Sequence, residues 1–234
     1  MVPTAPSFAI DANDVARRFG ANWVLRGANV RVSPGEVVGL LGANGSGKST
    51  LLRILATLIR PHAGSAKVCG YDVVREPQQV RASVGFLAHV PGLYDDLTAR
   101  ENLIFAAAML DRDEGDVDGV LERVGLSAVA GQPVRGFSSG MQRRLAIARL
   151  MLVRPRVLLL DEPYSNLDTA GLELVNSLIT EWVNDGAAAL VVLHEVAPAA
   201  GILDRTVTIE DGRIASTPAM HGDPAAGIPV AASG

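Results

Sequence analysis

The chain has 234 residues, 48% of them hydrophobic but only 4% aromatic, with 24 glycines and a formal net charge of −4. The length fits one generous domain, or one domain with an inserted lobe, and the aliphatic content is enough for a large core. The acidic balance gives no general attraction to nucleic acid or anionic lipid, so anion binding requires a local site. A single cysteine, Cys69, leaves no intrachain disulfide and suits a reducing compartment.

The N-terminal MVPTAPSFAI has no basic segment followed by an apolar run, so no signal peptide is read there. Leu103 to Leu110 and Gly186 to Leu193 are the longest apolar runs. Both fall short of the roughly 18–20 residues of a membrane span, which predicts a soluble or peripheral chain. Residues 1–7 and 216–234 are small and rich in Ala, Gly and Pro, and are expected to be loose tails around a domain at 8–215.

Phe8 to Val32 reads as short strands broken by Gly20 and Gly27, an N-terminal antiparallel β region. Ser33-Pro34-Gly35 is a turn. Glu36 to Leu41 is an apolar run that fits a buried strand, and Thr50 to Arg60 reads as a helix stopped by Pro61. Thr98 and Glu101 have capping-box spacing before another helix. Val117 to Val124 and Gly140 to Arg154 are further helices, the latter ended by Pro155. Val157 to Leu160 and Ala187 to Leu193 are continuously apolar, as central parallel strands are. Asp211-Gly212 is a tight turn between Val207–Glu210 and Arg213–Ile214. The predicted fold class is α/β, with a helical subdomain inserted at about residues 89–155.

Between the Glu36 strand and the following helix lies Gly42-Ala43-Asn44-Gly45-Ser46-Gly47-Lys48-Ser49-Thr50, which matches G-x-x-x-x-G-K-S. Glycines let the backbone curl so that successive N–H groups face one anion, and the helix adds its positive dipole end. Lys48 is expected to reach the β- and γ-phosphates of ATP, and the Ser49 hydroxyl to hold Mg²⁺. Asn44, Gly45, Ser46, Gly47 and Thr50 complete the expected phosphate cradle. The motif requires a carboxylate on a neighbouring strand, and Val157 to Leu160 ends in Asp161-Glu162. Asp161 is expected at Mg²⁺ and Glu162 as the general base for the attacking water. Taken alone, the two acids could equally end a surface strand.

Phe137-Ser138-Ser139-Gly140-Met141 resembles the L-S-G-G-Q signature of ABC ATPases, departing at three of five positions while keeping Ser138 and Gly140. The resemblance covers nearly the whole ordered chain and implies a P-loop NTPase core of ABC ATPase type. It makes Ser165-Asn166-Leu167-Asp168 the D-loop, with Asp168 near nucleotide, and His194 the switch histidine on the γ-phosphate. Phe19 stands where the family stacks an aromatic on adenine. Trp23 competes for that role, and Phe19 also reads as a core residue. The family mechanism implies two ATP molecules sandwiched in a head-to-tail homodimer, with Ser138 and Gly140 of one subunit closing over the other's γ-phosphate. Integral membrane permease subunits on other chains, a peripheral place on the cytoplasmic face of the inner membrane, and no nucleic-acid partner are implied with it.

Where the family usually has glutamine, sensing Mg²⁺ and the attacking water, Val84-Gly85-Phe86-Leu87-Ala88-His89-Val90-Pro91-Gly92 places histidine. Imidazole can donate or accept a hydrogen bond, so His89 is a candidate catalytic and Mg²⁺-site residue, or a tolerated substitution. His89, Pro91-Gly92 and Leu97-Thr98-Ala99-Arg100-Glu101-Asn102-Leu103 are similar to the ATPase of the cytochrome c maturation haem exporter. That similarity implies haem export. The alternatives are an exporter of drugs, lipids or polysaccharide, a soluble ABC ATPase, or a P-loop kinase. A kinase needs neither the Ser138–Met141 signature nor His194.

Overall fold

A computed structural model describes residues 7–110 and 116–216. The expected tails lie outside the described residues except for Ser7 and Ser216. Two sheets carry the fold. The first is antiparallel, in the order β2-β1-β4-β5, with β1 at Ile10–Phe19, β2 at Asn22–Val32, β4 at Ala63–Val68 and β5 at Tyr71–Asp72. The second runs β10-β9-β3-β8-β7-β6. Here β3 is Val37–Leu41, β6 Val84–Leu87, β7 Val157–Asp161, β8 Ala188–Val192, β9 Arg205–Glu210 and β10 Arg213–Ser216. All are parallel to their neighbours except β10, which pairs antiparallel with β9.

The uninterrupted apolar runs of β7 and β8 follow from burial on both faces, because successive side chains point to opposite sides. Val157, Leu159, Ala188, Leu190 and Val192 face one core with the antiparallel sheet and α1 (Lys48–Leu55). Leu158, Leu160, Ala189, Val191 and Leu193 face a second core under α5 (Ser139–Met151) and α6 (Thr169–Asn184). A third core joins α3 (Ala99–Met109), α4 (Asp116–Arg123) and α5 through Leu103, Leu121, Phe137 and Leu145. Helix α5 therefore has one face in the helical subdomain and another, with Ile147 and Leu150, on the parallel sheet.

Several boundaries differ from the sequence reading. Gly27 does not break the strand. It sits inside β2 at φ 97°, where the register with β1 shifts, a bulge stitched by the Asn29 amide donating to Asp14 Oδ1 at 3.1 Å. Helix α1 ends well before Pro61. Thr57 turns left-handed at φ 63°, and its N–H and that of Leu58 bond back to Ile54 and Arg53, which closes a Schellman motif. Helix α6 and the short α2 (Pro77–Ser83) were not anticipated.

Candidate active site

Four loops meet at the carboxyl ends of β3, β8, β7 and β6, adjacent strands in that order. In open parallel sheets this edge is where ligands bind. Residues 42–49 leave β3, His194 follows β8, Glu162 follows β7 and His89 follows β6. Strand order, not sequence distance, brings them together.

The glycine loop is constrained by close approach. A Cβ on Gly42, at φ 143°, would lie 2.4 Å from the Ile209 carbonyl, and one on Gly47, at φ 113°, 2.7 Å from Leu25. Gly47 is the N-cap of α1, and no side chain caps that helix. Its first N–H groups thus lack both intrahelical and side-chain acceptors. The Ser46 hydroxyl is buried without a partner. Lys48, 5% exposed, donates from Nζ to the carbonyls of Gly42 at 2.7 Å and Ala43 at 2.9 Å, which holds the ammonium over the loop. Asn44 and Gly45 are exposed at its crown, and Thr50 is half-buried in α1.

Ser49 Oγ donates to Asp161 Oδ1 at 3.1 Å. The second oxygen, Asp161 Oδ2, is buried with no hydrogen-bond partner. An anionic oxygen left in that state invites a cation. Among the described residues no three His, Cys, Asp or Glu side chains form a metal cage. A hydroxyl and one carboxylate suit Mg²⁺, which takes few protein ligands and fills its shell with phosphate oxygens and water.

Glu162 adopts φ 53° as it leaves β7. Its two carboxylate oxygens lie against two imidazoles: Oε1 is 2.7 Å from His194 Nε2 and Oε2 is 3.1 Å from His89 Nδ1. The Ser165 hydroxyl adds a longer contact at 3.4 Å. A cleft of about 190 Å³ opens here, lined by Glu162, Tyr164, Ser165 and His194 among others. A larger groove of about 730 Å³, between α4 and the C-terminal ends of α5 and α6, contains none of these residues.

Ser138 is the exposed N-cap of α5, its hydroxyl accepting from the Met141 N–H at 3.3 Å. Gly140 packs within its own chain, since a Cβ there would stand 2.8 Å from the Asn166 carbonyl. Asp168 caps α6, accepting from the Gly171 N–H at 2.9 Å and from Arg144 at 2.6 Å. The Arg144 hydrogen bond holds the Asp168 carboxyl below the usual carboxylate range. Phe19 is 48% exposed at the β1–β2 turn and covered by the Arg17 guanidinium, which removes the core reading. Trp23, 42% exposed, stacks edge-on with His62.

Sequence reasoning missed Arg143. It is buried on α5 and donates to the main-chain carbonyls of Ala88 at 2.8 Å, Asp161 at 2.7 Å, His89 and Pro163 at 3.4 Å, and Glu162. Burial pushes this guanidinium below the usual arginine range, opposed by the charges of Asp161 and Glu162. Its targets are carbonyls, which leave no trace in a sequence. An arginine on the inward face of a helix was the one signal available.

A family model described as ABC transporter matches residues 25–165, more than half of the chain. The chain belongs to the ABC transporter family. It is an ATP-binding subunit of that family, and no helix among the described residues is long and apolar enough to cross a membrane. It is 37% identical over 210 residues to the daunorubicin resistance ATP-binding protein DrrA3 of Streptomyces coeruleorubidus, covering 88% of this chain and 66% of that protein. It is 38% identical over 199 residues to the cytochrome c biogenesis ATP-binding export protein CcmA 2 of Cupriavidus metallidurans, covering 83% of this chain and 94% of that one. A solved ATP-binding subunit of an ABC transporter superposes with a TM-score of 0.84 at 27% identity, covering 91% and 90% of the two chains.

Proposed function

We propose that this chain binds ATP on the glycine loop and hydrolyses it at Glu162 to power membrane subunits carried on other chains. The observation that carries the chemistry is the Glu162 carboxylate held between His194 and His89, beside the partnerless Asp161 oxygen. The uncapped start of α1 and Lys48 hold the phosphates. Ser49 and Asp161 would hold Mg²⁺, which would supply positive charge against the phosphates. Glu162 accepts the proton of the attacking water, and His194, 2.7 Å from its carboxylate, keeps it aimed and takes the switch role at the γ-phosphate. Phe19, with Trp23 as the alternative, stacks on adenine.

A second copy completes the site. Its Ser138 and Gly140 close over the γ-phosphate, in line with the exposure of Ser138 and the absence of any acidic residue in the first turn of α5. Asp168 follows Asn166, the residue Gly140 packs on, and sits at the same seam. For the membrane partner, the helical subdomain and the segment entering it expose the large apolar side chains Val90, Tyr94, Phe105 and Met109. Tyr94 and Phe105 meet edge to face at 5.1 Å, and Asn102 pins the Tyr94 backbone through its N–H and carbonyl at 2.9 and 3.0 Å. Such side chains are costly to leave in water and suit a docking helix. Such exposure supports our reading of a peripheral place on the cytoplasmic face of the inner membrane.

For cargo we propose haem export in cytochrome c biogenesis, supported by His89 with Pro91-Gly92 and by similarity along 94% of the cytochrome c relative. The 37% identity to the daunorubicin resistance protein favours a second reading, drug export. Deleting the gene separates them: loss of holo-cytochromes c with unchanged drug tolerance supports haem, and drug sensitivity with normal cytochromes sinks it. For the chemistry, Glu162→Gln is expected to bind ATP and dimerise while turnover falls about 10²–10⁴-fold. Wild-type turnover in that variant would remove Glu162 from the base role.

A further inference from the structure

Three pieces of backbone must keep a fixed spacing for the site to work: the Ala88-His89 exit of β6, the Asp161-Glu162-Pro163 exit of β7, and the start of α5. The first two carry the imidazole and the carboxylate that meet at 3.1 Å. Strands β6 and β7 are paired only as far as Leu87 and Leu160, so beyond that point no ladder bond fixes one exit against the other. Arg143 spans that gap. One guanidinium donates to two carbonyls on the β6 side and three on the β7 side. A planar fork with five N–H donors can make all five contacts, whereas an ammonium with three donors cannot.

We propose that Arg143 is a positioning residue for hydrolysis, tying the start of α5 to both His89 and Glu162 so that their contact is set by where α5 sits. Residues 138 and 143 share one helix, so a displacement of the Ser138 end is carried as a rigid element to the carbonyls beside Glu162. Closure of α5 on a neighbouring subunit's nucleotide thereby reaches this subunit's own base. Helix α5 also bridges two hydrophobic cores, so it moves as a packed unit rather than fraying. Two arginines further along it make related contacts: Arg144 reaches Asp168 at 2.6 Å and Arg149 reaches the carbonyls of Pro91 and Gly92 at 2.8 and 2.7 Å. Of these three arginines, Arg143 alone touches both strand exits.

The inference rests on hydrolysis at Glu162, so Glu162→Gln is run beside it. Turnover and nucleotide affinity are measured on the full chain for Arg143→Lys, with Arg143→Gln as a second variant. Arg143→Lys is expected to lower ATP turnover about 10- to 100-fold with nucleotide affinity within about threefold of wild type. Adding His89→Ala is expected to lower wild-type turnover and to add little to Arg143→Lys, because the contact it removes is already displaced. Wild-type turnover in Arg143→Lys, an affinity loss that matches the turnover loss, or multiplicative effects in the double variant would each overturn the proposal. So would failure of both Arg143 variants to fold, which would make the residue a stability element. If Glu162→Gln keeps its turnover, the hydrolysis reading fails instead.

Discussion

Two helix starts carry the proposed phosphate contacts, and they are built in opposite ways. Helix α1 begins at a left-handed glycine with no side chain over its first N–H groups, and its lysine folds back onto loop carbonyls. Helix α5 begins at a serine whose hydroxyl already caps the helix from within. The first start is left open for an anion that the same chain positions. The second has one of its first N–H groups already capped by its own serine, and that exposed serine can serve a ligand only when something else brings the ligand to it. The asymmetry suits a site assembled from two copies, one supplying the cradle and the other a capped helix edge.

That contrast can be broken at four places. The largest effect is expected at the open end. Lys48→Ala removes a charge-assisted contact worth about 1.5–3 kcal/mol, so ATP affinity falls roughly 10- to 100-fold, measurable by titration with a fluorescent nucleotide. Unchanged affinity would mean that the loop binds no phosphate through Lys48. Next comes Gly140→Ala, whose Cβ would meet a backbone carbonyl 2.8 Å away. Overpacking costs about 1–3 kcal/mol, of which better helix propensity returns less than about 1 kcal/mol. Urea denaturation reads the loss, and a stability equal to wild type would place Asn166 elsewhere.

Ser138→Ala tests whether the closed end does more than cap. Losing the cap costs about 1 kcal/mol of chain stability. If α5 also meets the neighbouring subunit's nucleotide, ATP-dependent dimerisation in a Glu162→Gln background, read by light scattering, falls by more than that stability loss explains. Equal losses in both would confine Ser138 to capping. Thr98→Ala is expected to have the smallest effect on nucleotide binding and serves as the control. Thr98 and Glu101 close a capping box on α3, with Thr98 N–H donating to Glu101 at 2.8 Å and the Glu101 N–H to Thr98 at 3.2 Å. The Thr98 N–H and the Thr98 hydroxyl, which also donates to Glu101 Oε2 at 2.8 Å, hold the Glu101 carboxyl below its usual range. Stability is expected to drop by about 0.5–2 kcal/mol with nucleotide affinity unchanged. A fall in affinity here would show that caps act at the site through general loosening, and would weaken the reading of Ser138.

Local patterns were legible wherever backbone geometry demands particular residue types. The strand, glycine loop and helix of residues 36–55, the capping box at Thr98, and the strand ending at Asp161 each require glycine, threonine or unbroken aliphatic residues at fixed offsets, and those offsets survive in the linear sequence. Termination was less legible. Pro61 looked like the stop of α1, but a left-handed Thr57 with two backbone bonds ended it earlier, and threonine carries no strong signal for that conformation. Helix α6 escaped notice beside the more conspicuous acids before it.

By itself the sequence determined the phosphate loop, the two acids at the end of a buried strand, the α/β class and the place of His89 and His194 after apolar runs. Tertiary structure alone decided that these residues are neighbours. The order β3-β8-β7-β6 sets four loops side by side at one edge, and pairing between distant segments is what creates that order. It also decided that His89 and His194 take opposite oxygens of Glu162, that Phe19 is exposed, and that Arg143 holds the exits of β6 and β7. The physical reason is the same in each case. Main-chain carbonyls and strand neighbours impose no residue type of their own, so their partners can be recognised only once the chain has folded.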